Sequence, residues 1–395
     1  TENEPSTRNI PINPKDLGGL VALAKSESVG LTVIGPEQPL VAGITDRFQA
    51  AGLKCFGPQA AAAQLEGSKV FTKDFLQRHD IPTASYASFN SLSAALAYVE
   101  SLEMPIVVKA NGLAEGKGVI LAQTHMEAEK AVRKMLEDRA FGIAGTTVVI
   151  EEYLQGEETS FIAIVDGTQI LPLASSQDHK TRDDGDKGPN TGGMGAYSPA
   201  PVVTPTIHDR IMQQVMIPTV RGLSSEGLEY RGFLYAGLMI DSEGNPNVLE
   251  FNCRFGDPET QPILFRLRSD LTELCLKSFD GTLDTAAVEW DSRAALGVVM
   301  ASNGYPGNYK KGLKIQGLEP ISDDRTKVFQ AGTTMKNGQV LTNGGRVLCA
   351  VALGNTVSEA RIRAYEAVEK IDWEGAIYRR DIGYRAIERE RTNAS

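Results

Sequence analysis

The segment Asn247-Val-Leu-Glu-Phe-Asn-Cys-Arg-Phe-Gly-Asp-Pro-Glu-Thr-Gln261 organises the reading of this chain. Read as a strand over 248–254, its two-residue side-chain period puts Glu250, Asn252 and Arg254 on one face and Leu249, Phe251 and Cys253 on the buried one. A carboxylate and an amide oxygen are hard ligands for Mg²⁺, and a guanidinium suits an anionic oxygen beside them. The polar face is therefore a candidate metal–phosphate site, although a strand whose polar side simply faces water would show the same alternation. Asparagine, a poor strand residue, favours the first reading. Gly256-Asp257-Pro258 then dictates a turn, and a helix can start at Glu259.

Working outward, a strand over 233–240 pairs with this one through the turn 241–246. Further upstream, Pro105-Ile-Val-Val-Lys109 reads as a strand, followed by the glycine-rich run 111–118 and a second strand over 119–122. Glycine lets backbone N–H groups approach an anion and the lysines add charge, so the run is either a phosphate cover or only a flexible turn. It is not a Walker loop: three residues separate Gly112 from Gly116, and Gly118 follows Lys117 where Ser or Thr belongs. The strand 148–150 runs into Glu151-Glu152-Tyr153-Leu154, with Glu158 close behind. Such a strand end offers backbone groups to an adenine edge and a carboxylate to ribose hydroxyls; an acidic strand end in water looks the same locally. After Gln177-Asp-His-Lys180-Thr-Arg182 comes a polar stretch to Tyr197, expected to be a long loop without elements that surrounds a charged small molecule.

Towards the N-terminus, a helix over 17–28, a strand over 31–34, a helix over 41–51 and a strand over 54–56 alternate as in a parallel α/β sheet, with its ligand edge at 35–39 and 57–58. Further helices are expected over 69–79, 91–101 and 206–225. From Arg293 the composition changes; strands at 296–300, 327–331 and 346–352 and a helix over 357–371 make a separate α+β cap.

A formal charge of −10 and a pI near 5.1 argue against a nucleic-acid coat or an anionic membrane surface. The longest apolar runs, such as 294–301, are too short to span a bilayer. Cys55, Cys253, Cys275 and Cys349 are scattered, which suits buried thiols in the cytosol better than a disulfide frame, and the four histidines have no metal-site spacing.

Taken in order, Gly35-Pro-Glu37, the run 67–73, Val108-Lys109 to Gly118, Glu151 to Glu158, Gln177 to Lys180, Gly188 to Tyr197 and above all Arg254 to Gln261 resemble the ATP-grasp superfamily. Within it, the 188–197 and 254–261 runs resemble the phosphoribosylamine–glycine ligase family, and the resemblance extends over nearly the whole chain. It implies a mixed α/β and α+β architecture: an N-terminal parallel α/β domain over 1–66, an ATP-grasp domain over 67–290 whose 87–152 part is a mobile lid, and a C-terminal α+β domain over 291–395. It further implies that Lys69 and Lys109 contact ATP phosphates beneath a loop containing Gly112, Gly116, Lys117 and Gly118. Glu151 would face the adenine amine, Glu152 and Leu154 would lend backbone groups to its edge, and Glu158 would hold the ribose. Glu250 and Asn252 would bind Mg²⁺ or Mn²⁺. Asp178, Lys180, Asn190, Thr191, Gly192, Gly193, Met194, Arg254 and Asp257 would hold glycine and 5-phosphoribosylamine, with Lys109, Lys180 and Arg254 supplying the catalytic charge. The implied product is glycinamide ribonucleotide, formed with ADP and phosphate by a cytosolic monomer.

Two departures stand out. Family members open with a strand and a Gly-Gly-Arg loop that has no counterpart here, so the N-terminal domain is expected to lack one strand–loop–helix unit and to be less stable for it. Many ATP-grasp enzymes also carry an acidic metal ligand on the preceding strand, and 233–240 offers none. The competing readings are another ATP-grasp carboxylate ligase or carboxylase ATPase, and a nucleotide-binding module without turnover.

Overall fold

The computed structural model describes residues 6–114, 118–318 and 324–394; the expected site positions Gly116 and Lys117 lie outside the described residues. Near the N-terminus, helix Leu17–Ser26 is capped by Asp16, whose carboxylate accepts from Gly19 N–H at 2.9 Å. The strands Thr32–Val33 and Cys55–Phe56 pair in parallel, as the alternation implied. The single helix expected over 41–51 is instead two, Glu37–Val41 and Ile44–Ala50. They break at Gly43, whose φ of 84° lies in the left-handed region that only glycine enters without strain.

An antiparallel lid sheet runs in the order Tyr86–Phe89, Val148–Glu152, Ile106–Ala110, Val119–Ala122. Helix His125–Leu136 covers one face because Ala128, Ala131, Val132 and Met135 recur at helical spacing and are buried there with Val108, Val148 and Ile150.

The base sheet is antiparallel as well, in the order Pro246–Asn252, Arg231–Ile240, Glu157–Asp166, Ile170–Pro172. It is covered on both sides: Phe161, Ala163 and Val165 enter one core while Ile162 and Ile164 enter another. A bulge interrupts the pairing of its first two strands. Gly237 faces Glu250 and Leu238 faces Val248, so Leu249 has no partner. That extra residue shifts the side-chain phase by one. Val248 joins Phe251 and Cys253 in the core, whereas Leu249, expected there, is displaced to the wall of a cleft. The strand ends at Asn252, so Arg254 is presented from the turn rather than from the strand.

The stretch 183–197, expected as a loop, is structured, and so are the residues leading into it. Gln177–Asp178 and Gly195–Ser198 are strands in a sheet ordered Thr326–Gln330, Arg346–Gly354, Ala294–Ser302, Gly195–Ser198, Gln177–Asp178. Between them Thr181–Asp183 and Lys187–Asn190 form a hairpin. Strands from either side of residue 291 therefore share one sheet, which helix Val357–Val368 covers. The helix expected over 206–225 is interrupted by a π-turn at Met212–Met216. Pro218 follows directly and has no N–H for the regular ladder.

The hairpin is tied down by Arg379, which is fully buried. Its guanidinium donates to both oxygens of Asp381 at 2.8 Å, to Asp186 at 2.9 Å and to Thr181 Oγ1 at 3.0 Å. Asp381 and Asp184 in turn accept from the N–H groups of Gly185 and Arg380. Removing the cation would leave Asp381 and Asp186 short of a counter-charge in a half-buried site, with Arg385 still on Asp186. Arg379→Met is expected to lower the unfolding free energy of this unit by about 3 kcal/mol, read as a shift of its urea midpoint.

Candidate active site

A cleft of about 1260 Å³ lies between the lid sheet, the base sheet, the turn before helix Glu37–Val41 and the C-terminal sheet. Glu250 stands on its floor. Burial alone would raise the Glu250 carboxyl, but Lys180, Lys69, Lys109 and Arg254 outweigh it and bring it down to about 2. Lys180 Nζ is 3.7 Å away and also pairs with Glu158. Beside it, Asn252 Oδ1 accepts from Arg254 at 3.1 Å.

Arg254 is held from both sides, by Glu37 at 3.4 Å and Glu66 at 3.3 Å. Burial pushes the Glu66 carboxyl up to about 7, against the pull of Arg254 and of the Cys253 N–H that it accepts at 2.7 Å. Burial also raises Asp178 well above the ordinary carboxylate range, with Lys180 opposing and Glu259, Glu158 and Glu250 adding to the rise.

Lys69 is the first residue of helix Lys69–Arg78, and burial lowers its ammonium. The glycine-rich loop is fastened to that helix start, where Asn111 Oδ1 accepts from Ser68 Oγ at 3.0 Å and from Val70 N–H at 2.9 Å. Gly112 is needed at the loop's entrance, since a Cβ there would sit 2.8 Å from that of Ala144. Lys109 donates to Glu151 Oε2 at 2.8 Å and to Leu249 O at 3.2 Å. The second Glu151 oxygen, Oε1, is buried without a partner among the described residues. Glu152 and Leu154 line the cleft, but the Glu152 N–H is spent on Ser85 O at 3.1 Å and is not a free donor for a ligand.

Asn190, Thr191, Gly192 and Asp257 reach the cleft wall. Met194 does not: it is buried in the C-terminal core with Tyr197 and Leu296 and anchors the loop from behind. Gly193 likewise turns away, with φ at 107° and its Cα packed against Pro258.

Several neighbours were not anticipated. Lys73 lies one helical turn after Lys69 and shares its face, a spacing visible in the sequence. Glu37 lies in the expected ligand edge 35–39 but had no role assigned, and Glu66, Tyr305 and Arg346 gave no local signal. Arg346 donates to Asp257 Oδ2 at 2.7 Å and to the carbonyls of Gly192 and Asp257, while Tyr305 OH accepts from Gly192 N–H at 2.9 Å. The C-terminal sheet thus clamps the 190–193 loop against the 254–261 run.

A lysine-lined cleft between an antiparallel lid sheet and a base sheet carrying Glu-x-Asn defines an ATP-grasp ligase. Family models of the phosphoribosylglycinamide synthetase N domain, ATP-grasp (A) domain and C domain match residues 1–66, 67–260 and 295–385, and the chain belongs to this family. Phosphoribosylamine–glycine ligases of Allochromatium vinosum and Vibrio vulnificus are 62% and 61% identical over 392 and 390 residues, 99% of this chain and 92% and 91% of theirs. The crystal structure of the Thermotoga maritima ligase superposes with a TM-score of 0.81 at 34% identity, covering 95% of this chain and 90% of that one. A biotin carboxylase domain from Hydrogenobacter thermophilus shares the fold alone, with a TM-score of 0.72 at 15% identity over 93% of this chain and 81% of that one. The chain is accordingly an ATP-dependent ligase of purine biosynthesis that joins glycine to phosphoribosylamine.

Two outcomes follow from this geometry. A carboxyl raised from its ordinary 4.5 to about 7 contributes stability that is complete below pH 4.5 and is lost as pH rises through 7. Urea midpoints of the wild type should therefore decline between pH 5 and pH 8, and Glu66→Gln should flatten that slope. Arg346→Met should raise KM for glycine or phosphoribosylamine roughly tenfold or more while leaving KM for ATP unchanged in steady-state assays.

Proposed function

We propose that the reaction runs through glycyl phosphate. A glycine carboxylate oxygen attacks the γ-phosphorus of ATP, the bond to the β-phosphate oxygen breaks, and ADP leaves. The phosphoribosylamine nitrogen then attacks the acyl carbon, loses a proton, and phosphate departs with its bridging oxygen. Neither step requires a nucleophilic side chain, because positioning and charge neutralisation lower both barriers.

In this reading Lys69 and Lys109 contact the phosphates of ATP, and Lys180 and Arg254 meet the anionic groups of the substrates. Glu158 holds the ribose once Lys180 turns from it. Asp178, Asn190, Thr191, Gly192 and Asp257 line the place for glycine and phosphoribosylamine, with Gly193 and Met194 shaping the loop from outside the cleft. The buried, unpartnered Oε1 of Glu151 is an acceptor of the kind an adenine amine satisfies.

Glu250 and Asn252 fit a magnesium or manganese ion, since Glu250 is ionised at neutral pH and both are oxygen donors. Among the described residues no cluster of three or more His, Cys, Asp or Glu could complete a site, so most of the ion's ligands would come from phosphate and water. When bound, the ion would neutralise phosphate charge. The 87–152 unit closes over the cleft as a lid, with the glycine-rich loop shielding the acyl phosphate from water. The enzyme acts as a cytosolic monomer, in keeping with a cleft completed within one chain and four free, buried cysteines.

The observation that carries this reading is the gathering of Lys69, Lys109, Lys180 and Arg254 around the Glu250 carboxylate in one cleft, a local set of cations suited to a polyphosphate and a carboxylate. ADP release should require glycine and phosphoribosylamine together, and release driven by bicarbonate would sink it. Glu250→Gln should cut kcat roughly a hundredfold or more with the thermal transition preserved.

A further inference from the structure

At the back of the cleft two buried lysines close on one carboxylate oxygen. Lys73, only 2% exposed, donates to Glu151 Oε2 at 2.9 Å and to Thr83 Oγ1 at 2.7 Å. Lys109 reaches the same Oε2 at 2.8 Å. Thr83 is itself fixed, its hydroxyl donating to Val248 O at 2.6 Å beside a parallel bridge between the two residues. Lys73 is thereby moored between helix Lys69–Arg78, the lid strand Val148–Glu152 and the base strand Pro246–Asn252.

Lys109 is differently placed. It sits on the neighbouring strand Ile106–Ala110 of the same sheet, and in the reading above it follows the phosphates of the nucleotide. Once its ammonium turns to phosphate, Glu151 would be a buried carboxylate with no counter-charge, and such a group takes up a proton or reorients. Lys73 prevents this, because its ammonium stays on Oε2 and leaves Oε1, the unpartnered oxygen, as the one free acceptor. An acceptor at that place favours a base that presents an amine and disfavours one that presents a carbonyl.

We propose that Lys73 is a positioning residue for nucleotide selection: its ammonium anchors Glu151 Oε2 and keeps Oε1 turned to the base amine, so that Lys109 is released to the phosphates. This rests on the ATP-binding reading of the cleft. The rest of the chemistry is unaffected, since Lys73 touches neither glycine nor phosphoribosylamine in that reading.

The test uses the full chain and compares kcat/KM for ATP with that for ITP, which carries a carbonyl where ATP carries the amine. The wild type should prefer ATP. Lys73→Met should lose about tenfold or more of that preference, chiefly through KM for ATP, with KM for glycine unchanged and Lys73→Arg restoring part of the loss. A merely structural role would depress both nucleotides equally. If Lys73→Met fails to fold, Thr83→Val removes the second anchor of Lys73 and leaves Glu151 untouched, and part of the same loss of preference is expected in it. A folded variant of either kind that keeps the wild-type preference overturns the role of Lys73 while leaving the adenine contact standing. A wild type indifferent between ATP and ITP overturns the Glu151–amine contact itself, and the proposal with it.

Discussion

Lys73 and Lys109 on Glu151, Lys180 between Glu158 and Glu250, and Arg254 between Glu37 and Glu66 are all ion pairs withdrawn in large part from water. Desolvating one such charge without a partner costs several kcal/mol, so cations gathered to receive a polyphosphate have to be matched by carboxylates whenever the ligand is away. This constraint explains why a cleft made for anions is lined by so many acids. It also explains their opposite titration behaviour: Glu250, with four cations acting on it, is driven down, whereas at Glu66 and Asp178 burial outweighs the pull of Arg254 and of Lys180 respectively and drives them up. In the proposed reading, nucleotide and substrate replace these carboxylates as partners of the same lysines.

The scaffold places these groups through a few exact accommodations. The bulge at Leu249 is one of them. Without it the Pro246–Asn252 strand would keep a single phase, and Val248, whose carbonyl receives Thr83, could not be buried on the same side as Phe251. With it, the Leu249 carbonyl meets Lys109 while Glu250 still points into the cleft. The C-terminal sheet makes the second accommodation by taking Gly195–Ser198 as one of its own strands, which fixes one end of the substrate loop, and by lending Arg346 and Tyr305 to hold Gly192. The three sequence segments matched by the family models thus meet in one cavity.

Much of this was legible in the linear chain, for reasons that are local. Alternation over 250–254 put Glu250 and Asn252 together because a strand's side chains repeat every second residue, and both do face the cleft. Glycine at 112 and 118 announced a close backbone return, and the order of the runs from Gly35 to Gln261 carried the family resemblance. The failures have equally definite causes. A bulge adds one residue without any composition signal, which is how Leu249 left the core. The stretch 183–197 looked too polar and glycine-rich for strands, yet Ala196 and Tyr197 are buried because a neighbouring strand from beyond residue 291 supplies their hydrogen bonds.

The amino-acid sequence by itself determined the family, and with it the class of reaction, through the order of its runs from Gly35 to Gln261, since residue types and short spacings suffice for that. Only the tertiary structure decided which charges are paired. Glu66 meets the Cys253 N–H across 187 residues and Arg346 meets Asp257 across 89, and contacts of that separation arise from the packing of whole sheets rather than from any repeat along the chain. Burial then sets the protonation of each group, because desolvation and the nearest counter-charge are properties of the folded cavity.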